Sequence, residues 1–189
     1  MRGSGWSSSA RALLVGPFAA LLLAAAPADA KVFFSREEAL ALAFPDAERV
    51  DGKTVMLADE QATRVESLSH AELETRLVRV YTGYRGENVL GYAFIDVHNV
   101  RTLPEAFLIV VSPHGEVQSL RLLAFHEPLE YMPREGWYEQ FHDKSLADAL
   151  RLGGDIHGIV GATLSSRATT MGVRRALALY QVLVQDGHD

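Results

Sequence analysis

The chain has 189 residues, no cysteine and a formal net charge of -6 from 18 basic and 24 acidic residues. That length predicts one domain, large enough to bury a core without disulfide staples. The acidic balance excludes nucleic acid as a partner and argues against binding to an anionic membrane surface.

The first 30 residues read as an export signal. Arg2 and Arg11 give a basic start, residues 12–26 form an apolar run, and Ala28-Asp29-Ala30 fits a small-x-small cleavage site. Gly16 and Pro17 interrupt the run, which is shorter than the roughly 20 residues that span a bilayer. Cleavage after Ala30 is expected and would leave one domain over 31–189, in a periplasmic or otherwise exported setting. This mature part holds 16 basic and 23 acidic residues, because the leader carries only Arg2, Arg11 and Asp29.

Ser35 with Glu38 makes a capping box behind Phe33-Phe34, and Pro45 stops the helix that follows. Asp51-Gly52, between apolar stretches, predicts a hairpin turn over 49–56. Residues 59–75 predict a helix. Two pairs of β-branched and aromatic runs follow, 77–84 with 89–97 and 106–111 with 117–125, each joined by a short Gly-containing turn. The expected architecture is α+β: an antiparallel β-meander with one face covered by helices. A short helix over 146–152, ended by Gly153-Gly154, comes next. The last helix, over 164–184, shows a core stripe at Val173, Ala176, Leu177, Tyr180 and Val184, with Gly172 inside it. Arg174 and Arg175 read as its solvated face.

The seven histidines lack the pairings of a metal site, and no metal is expected. Glu139 with His142 is a single copy of a carboxylate–histidine spacing that di-iron bundles need twice. Ser165 and Ser166 lack the elbow of a serine hydrolase.

The segment Val160-Gly161-Ala162-Thr163-Leu164-Ser165-Ser166-Arg167 enters that last helix. Helix N-termini expose unpaired N–H groups and partial positive charge, which suits phosphate. Gly161 lets a ligand approach the backbone, Thr163 presents a hydroxyl, and Arg167 offers a bidentate donor. A cap formed by Thr163 or Ser165 would account for the same residues.

Gly161-Ala162-Thr163-Leu164-Ser165-Ser166-Arg167-Ala168 resembles the flavinylation motif of the FMN-binding domain family. That family includes the flavin-carrying subunits of sodium-pumping NADH:quinone reductase and of Rnf-type reductase. Glu127-Pro128 is similar to a pair that follows the family's sheet. Trp137 to Lys144 resembles its aromatic-x-x-x-Phe-x-x-Lys segment. The chain departs from the motif at Val160, where Ser or Thr is usual, and at His157, where Asp is usual, with Asp155 close by.

The resemblance implies an FMN-carrying electron-transfer protein, its cofactor esterified through phosphate to Thr163 by a flavin transferase. Gly161 and Ala162 would give steric access, and Ser165, Ser166 and Arg167 would neighbour the phosphate. Glu127, Trp137 and Tyr131 would contact the pocket or ring. His126 and His157 read as ordinary loop histidines, with a place near the flavin as the alternative. The implied redox partner is a quinone-linked reductase or a cytochrome, at the membrane or in the periplasm. Two alternatives stay open: a secreted accessory module of the same fold without flavin, and a free-standing flavin reductase.

Overall fold

A computed structural model describes residues 31–188. The export signal expected over 1–30 lies outside these residues. The class is α+β: one six-stranded antiparallel sheet with helices on it. The strands are β1 (Lys31–Val32), β2 (Arg49–Met56), β3 (Leu77–Arg85), β4 (Asn88–Asn99), β5 (Pro104–Val111) and β6 (Val117–Phe125). Their order across the sheet is β1-β6-β5-β4-β3-β2. The helices are α1 (Arg36–Ala43), α2 (Asp59–Ser69), the one-turn α3 (Glu135–Tyr138) and α4 (Thr163–Tyr180). Among the described residues no helix is long and apolar enough to cross a membrane.

Helix α1 starts where its sequence says it should. Ser35 is the N-cap, its hydroxyl accepting the Glu38 N–H, while the Glu38 carboxylate accepts the Ser35 N–H at 2.8 Å. The strand pairs near 86 and 113 form as their turn residues require. The Asp51-Gly52 hairpin does not form. Both residues sit inside β2, with Gly52 opposite Tyr81 of β3. A Cβ on Gly52 would lie 2.9 Å from the Arg79 guanidinium and 3.2 Å from the Tyr81 ring. The glycine makes room for side chains folded over it, so a strand interior imitates a turn.

The sheet is covered on both faces rather than one. On one face α2 and α4 pack over Val80, Phe94, Phe107, Ile109 and Val111, and the predicted stripe of α4 is buried there throughout. On the other, Ala39 and Phe44 from α1 and its C-cap join Tyr81, Ala93, Leu108, Val110 and Leu123. Phe44 seats on the cross-strand pair Gly83–Gly91, where a Cβ on Gly83 would come within 2.6 Å of its ring. Burying both faces makes β5 a continuous apolar run.

The helix expected over 146–152 is irregular chain instead. Asp148 accepts the Ser145 N–H, Asp155 accepts the N–H groups of Leu150 and Arg151, and Leu150 has φ +43°. Carboxylates that satisfy the backbone locally remove the gain of a helix. Arg174 and Arg175 are not a solvated face. Arg174 donates to the carbonyls of Leu68, Ser69 and Ala149, tying α4 to α2, and Arg175 pairs with Asp96 of β4. Beyond Tyr180 the α-helix relaxes into a π-helical turn, Gln181–Gln185.

The outer edge of β6 is only partly paired. β1 covers Phe125 and Ala124, while Val117 exchanges backbone hydrogen bonds with Asp143 and Lys144. Residues 118–122 between them line a cavity of about 370 Å³ with Phe33, Phe34, Met132 and Tyr138. The β5–β6 register shifts near each end of this open stretch.

Candidate functional site

Three segments meet at the N-terminus of α4. The β4–β5 loop brings Val100 and Arg101, the chain after β6 brings Glu127 and Tyr131, and 161–165 begin the helix. Together they line an open pocket of about 300 Å³, of a size that suits a small ligand.

Glu127 builds the floor. It is 5% exposed, and its Oε1 accepts the N–H groups of Arg101, Thr102 and Leu103 at 3.2, 3.0 and 3.1 Å. Burial works against its charge, but the three donors hold the carboxyl below the usual range. Glu127 therefore folds the β4–β5 loop through one oxygen, Oε1, while the residue also lines the pocket. The loop presents Arg101, whose guanidinium lies 5.6 Å from the centre of the Tyr131 ring.

The start of α4 is bare of caps. Ala162 occupies the N-cap, buried, with no side chain to accept an N–H, and the first turn has no acidic residue. Gly161 has φ +86°, a conformation that favours glycine, and a Cβ there would meet nothing within 4 Å. Thr163 is exposed as the first residue of the helix, between Leu164 and the fully exposed Val160. The unpaired donors and partial positive charge of this terminus face a pocket that the Glu127 carboxylate also lines.

The hydroxyls of the helix divide sharply. Ser166, Thr169 and Thr170 donate to the carbonyls of Ala162, Ser165 and Ser166 at 2.9, 2.9 and 2.7 Å. Such hydroxyls are occupied within the helix. Ser165 lines the pocket, is 1% exposed, and its Oγ has no partner. A buried hydroxyl left unpaired costs about 1–3 kcal/mol unless something binds it.

Of the nine residues predicted for the site, Gly161, Ala162, Thr163, Ser165, Glu127 and Tyr131 line the pocket. Ser166 is buried behind it, and Arg167 is exposed outside its lining. Trp137 packs edge-on against Tyr138 and Phe141 and donates from Nε1 to the His157 carbonyl at 2.6 Å. Gln140 accepts the His157 N–H at 2.7 Å. Trp137 thus holds the loop that delivers Thr163. Asp155, near the family's Asp position, pairs with Lys144 and caps Leu150 and Arg151.

The sequence reading missed Arg101 and Val100, which only the β4–β5 loop brings here. It also missed a buried polar group under α4, made by Asp96, His98, Glu105 and Arg175. Burial opposes the His98 charge, yet hydrogen bonds to Asp96 and Glu105 raise its pKa to about 9. Burial disfavours the Asp96 charge too, but His98 and Arg175 keep that carboxyl below its ordinary range.

No protein-family model matches the chain, and a search of curated proteins finds no match to it.

Proposed function

We propose that the pocket at the head of α4 holds the phosphate end of FMN and that Thr163 is its attachment point. In this reading the helix-covered antiparallel meander is the scaffold, and 161–167 is the acceptor segment of an exported electron-transfer protein. The observation that carries it is a pocket lined by Gly161, Thr163 and Ser165 at an uncapped helix N-terminus, with the Ser165 Oγ buried beside it and unpartnered. An anion with acceptor oxygens suits those donors.

Each residue has a task by this account. The backbone N–H groups of the first α4 turn and Ser165 Oγ would hold phosphate oxygens, while Arg101 adds a positive charge at the rim. Gly161 leaves the approach clear. Exposed Thr163 offers its hydroxyl to a flavin transferase, and exposed Val160 and Leu164 give that enzyme apolar grip on either side. Tyr131 is in the pocket lining, whereas the Ser166 hydroxyl is bonded to the Ala162 carbonyl and Arg167 is exposed outside the lining. The bound flavin would supply reversible electron transfer, and the protein would supply position and electrostatics. The redox partner would be a membrane or periplasmic quinone-linked reductase or a cytochrome.

The test is co-expression with a flavin transferase, followed by denaturing electrophoresis under ultraviolet light and intact-mass measurement. The wild type should give a fluorescent band and the mass of one added FMN phosphoryl group. Thr163→Ala should be dark yet folded, because this exposed hydroxyl makes no cap hydrogen bond. A wild type that stays dark, unmodified and free of bound flavin overturns the proposal and leaves the accessory-module reading.

A further inference from the structure

The polar side chains beneath α4 form one connected row. His98 and Glu105 face each other across β4 and β5, with Nε2 2.7 Å from Oε1. His98 Nδ1 lies 2.5 Å from Asp96 Oδ2, and Arg175 donates to both Asp96 oxygens at 2.8 Å. At the other end, the Thr169 hydroxyl is beside Glu105 and donates to the Ser165 carbonyl at 2.9 Å. Ser165 is the back wall of the pocket at the head of the helix. The row therefore runs from that pocket to Arg175.

Its middle is incomplete. Glu105 is fully buried, yet its Oε2 has no partner, and neither does the buried hydroxyl of Tyr138. An ionised carboxylate with a bare oxygen in dry surroundings is costly, and a proton on that oxygen relieves the cost. Burial pushes the Glu105 carboxyl up against the pull of His98. The groups beside it are His98 and Asp96 from β4, Thr169 from α4, Tyr138 from α3 and Phe125 from β6, with Arg175 beyond Asp96.

We propose that this row is a proton store wired to the α4 pocket: Glu105 takes up one proton when negative charge is placed there and releases it when the charge leaves. Only the identity of the charge rests on the flavin reading. The proton comes from solvent as H⁺ and forms an O–H bond on Glu105 Oε2; no other bond changes and no electron moves. The Thr169 oxygen beside Glu105 has already given its own hydrogen to Ser165, which leaves a lone pair open to the new O–H. With His98 and Arg175 cationic and Asp96 anionic, uptake leaves one excess positive charge, which answers the added negative one. Six residues of helix separate Thr163 from Thr169, about 9 Å at about 1.5 Å per residue. At that range and a protein-like dielectric, one charge moves a buried carboxyl by about one pH unit.

Infrared spectroscopy of the full chain tests this, following the carbonyl band of a protonated buried carboxylic acid across pH. Glu105→Gln should remove the band. If that variant does not fold, carbon-13-labelled glutamate in the wild type identifies the band by its isotope shift. Thr163→Asp, which fixes a carboxylate at the head of α4 without flavin, should raise the midpoint by about one pH unit. FMN-loaded wild type should shift the same way. A missing glutamate band, or a midpoint that Thr163→Asp leaves in place, overturns the store. If FMN binds and neither midpoint moves, the store fails and the flavin reading stands. If FMN never binds and Thr163→Asp shifts the band, the flavin reading fails and the store stands.

Discussion

Replacing Gly172 by Ala sets helix propensity against tertiary packing, and the structure decides the sign. In an exposed helix interior, Gly→Ala gains about 1 kcal/mol. Here the new Cβ would lie 2.5 Å from Asp96 Oδ2, 3.2 Å from its Cγ and 3.4 Å from His98 Cε1. The carboxylate has no free direction of retreat, because Arg175 holds both oxygens and His98 holds one. Forcing an extra methyl into a packed core costs about 1–3 kcal/mol, and loosening a buried ion pair adds to that. After subtracting the propensity gain, a net loss of about 1–3 kcal/mol is expected. For a domain of this size, at about 2–4 °C per kcal/mol, that lowers Tm by roughly 2–12 °C. Calorimetry on Gly172→Ala at neutral pH measures it directly. A variant as stable as wild type, or more so, refutes the claim that α4 is pressed onto a fixed charge cluster.

Two further predictions concern the charged groups. Glu127→Ala leaves three backbone donors of the β4–β5 loop without their shared acceptor, and should cost about 1–3 kcal/mol in urea denaturation. In the wild type, the depressed Glu127 carboxyl contributes stability that is present above its unfolded pKa and lost as pH falls through the folded value. His98 acts in the opposite sense. Its pKa rises from 6.5 to about 9 on folding, so its contribution is full below 6.5 and fades as pH climbs towards 9. Stability should fall by about 2–3 kcal/mol over that window. His98→Gln should flatten the slope, and an unchanged slope would remove His98 as its source.

Local signals were readable wherever the deciding partner lies a few residues away. Ser35 and Glu38 cap each other, and the α4 stripe follows from its own spacing. Apart from 146–152, where Asp148 and Asp155 satisfy the backbone locally, the misread stretches depend on distant chain. Asp51-Gly52 looks like a turn until Arg79 and Tyr81 from the next strand fold over the glycine. Arg174 and Arg175 look solvated until carbonyls of α2 and the Asp96 carboxylate reach them. Asp96, His98 and Glu105 alternate with apolar neighbours, so the pattern assigns them to water. Only the crossing of α4 over β4 and β5 shuts them in. Six of the nine lining residues were legible in the sequence: 161–165 are contiguous, whereas Arg101 arrives through a loop that Glu127 ties down from 26 residues away.

The short reach of β1 has a consequence for how these molecules behave in a crowd. A bare ribbon margin invites neighbouring chains to stack on it, and a cysteine-free protein has no covalent staple to resist the rearrangement that stacking promotes. The unpaired margin here is five residues, about 16 Å. Irregular register brackets it, and Arg121 sits within it. At this border an incoming strand would find too little straight template to propagate, whereas the opposite border, the exposed eight-residue β2, has no such interruption.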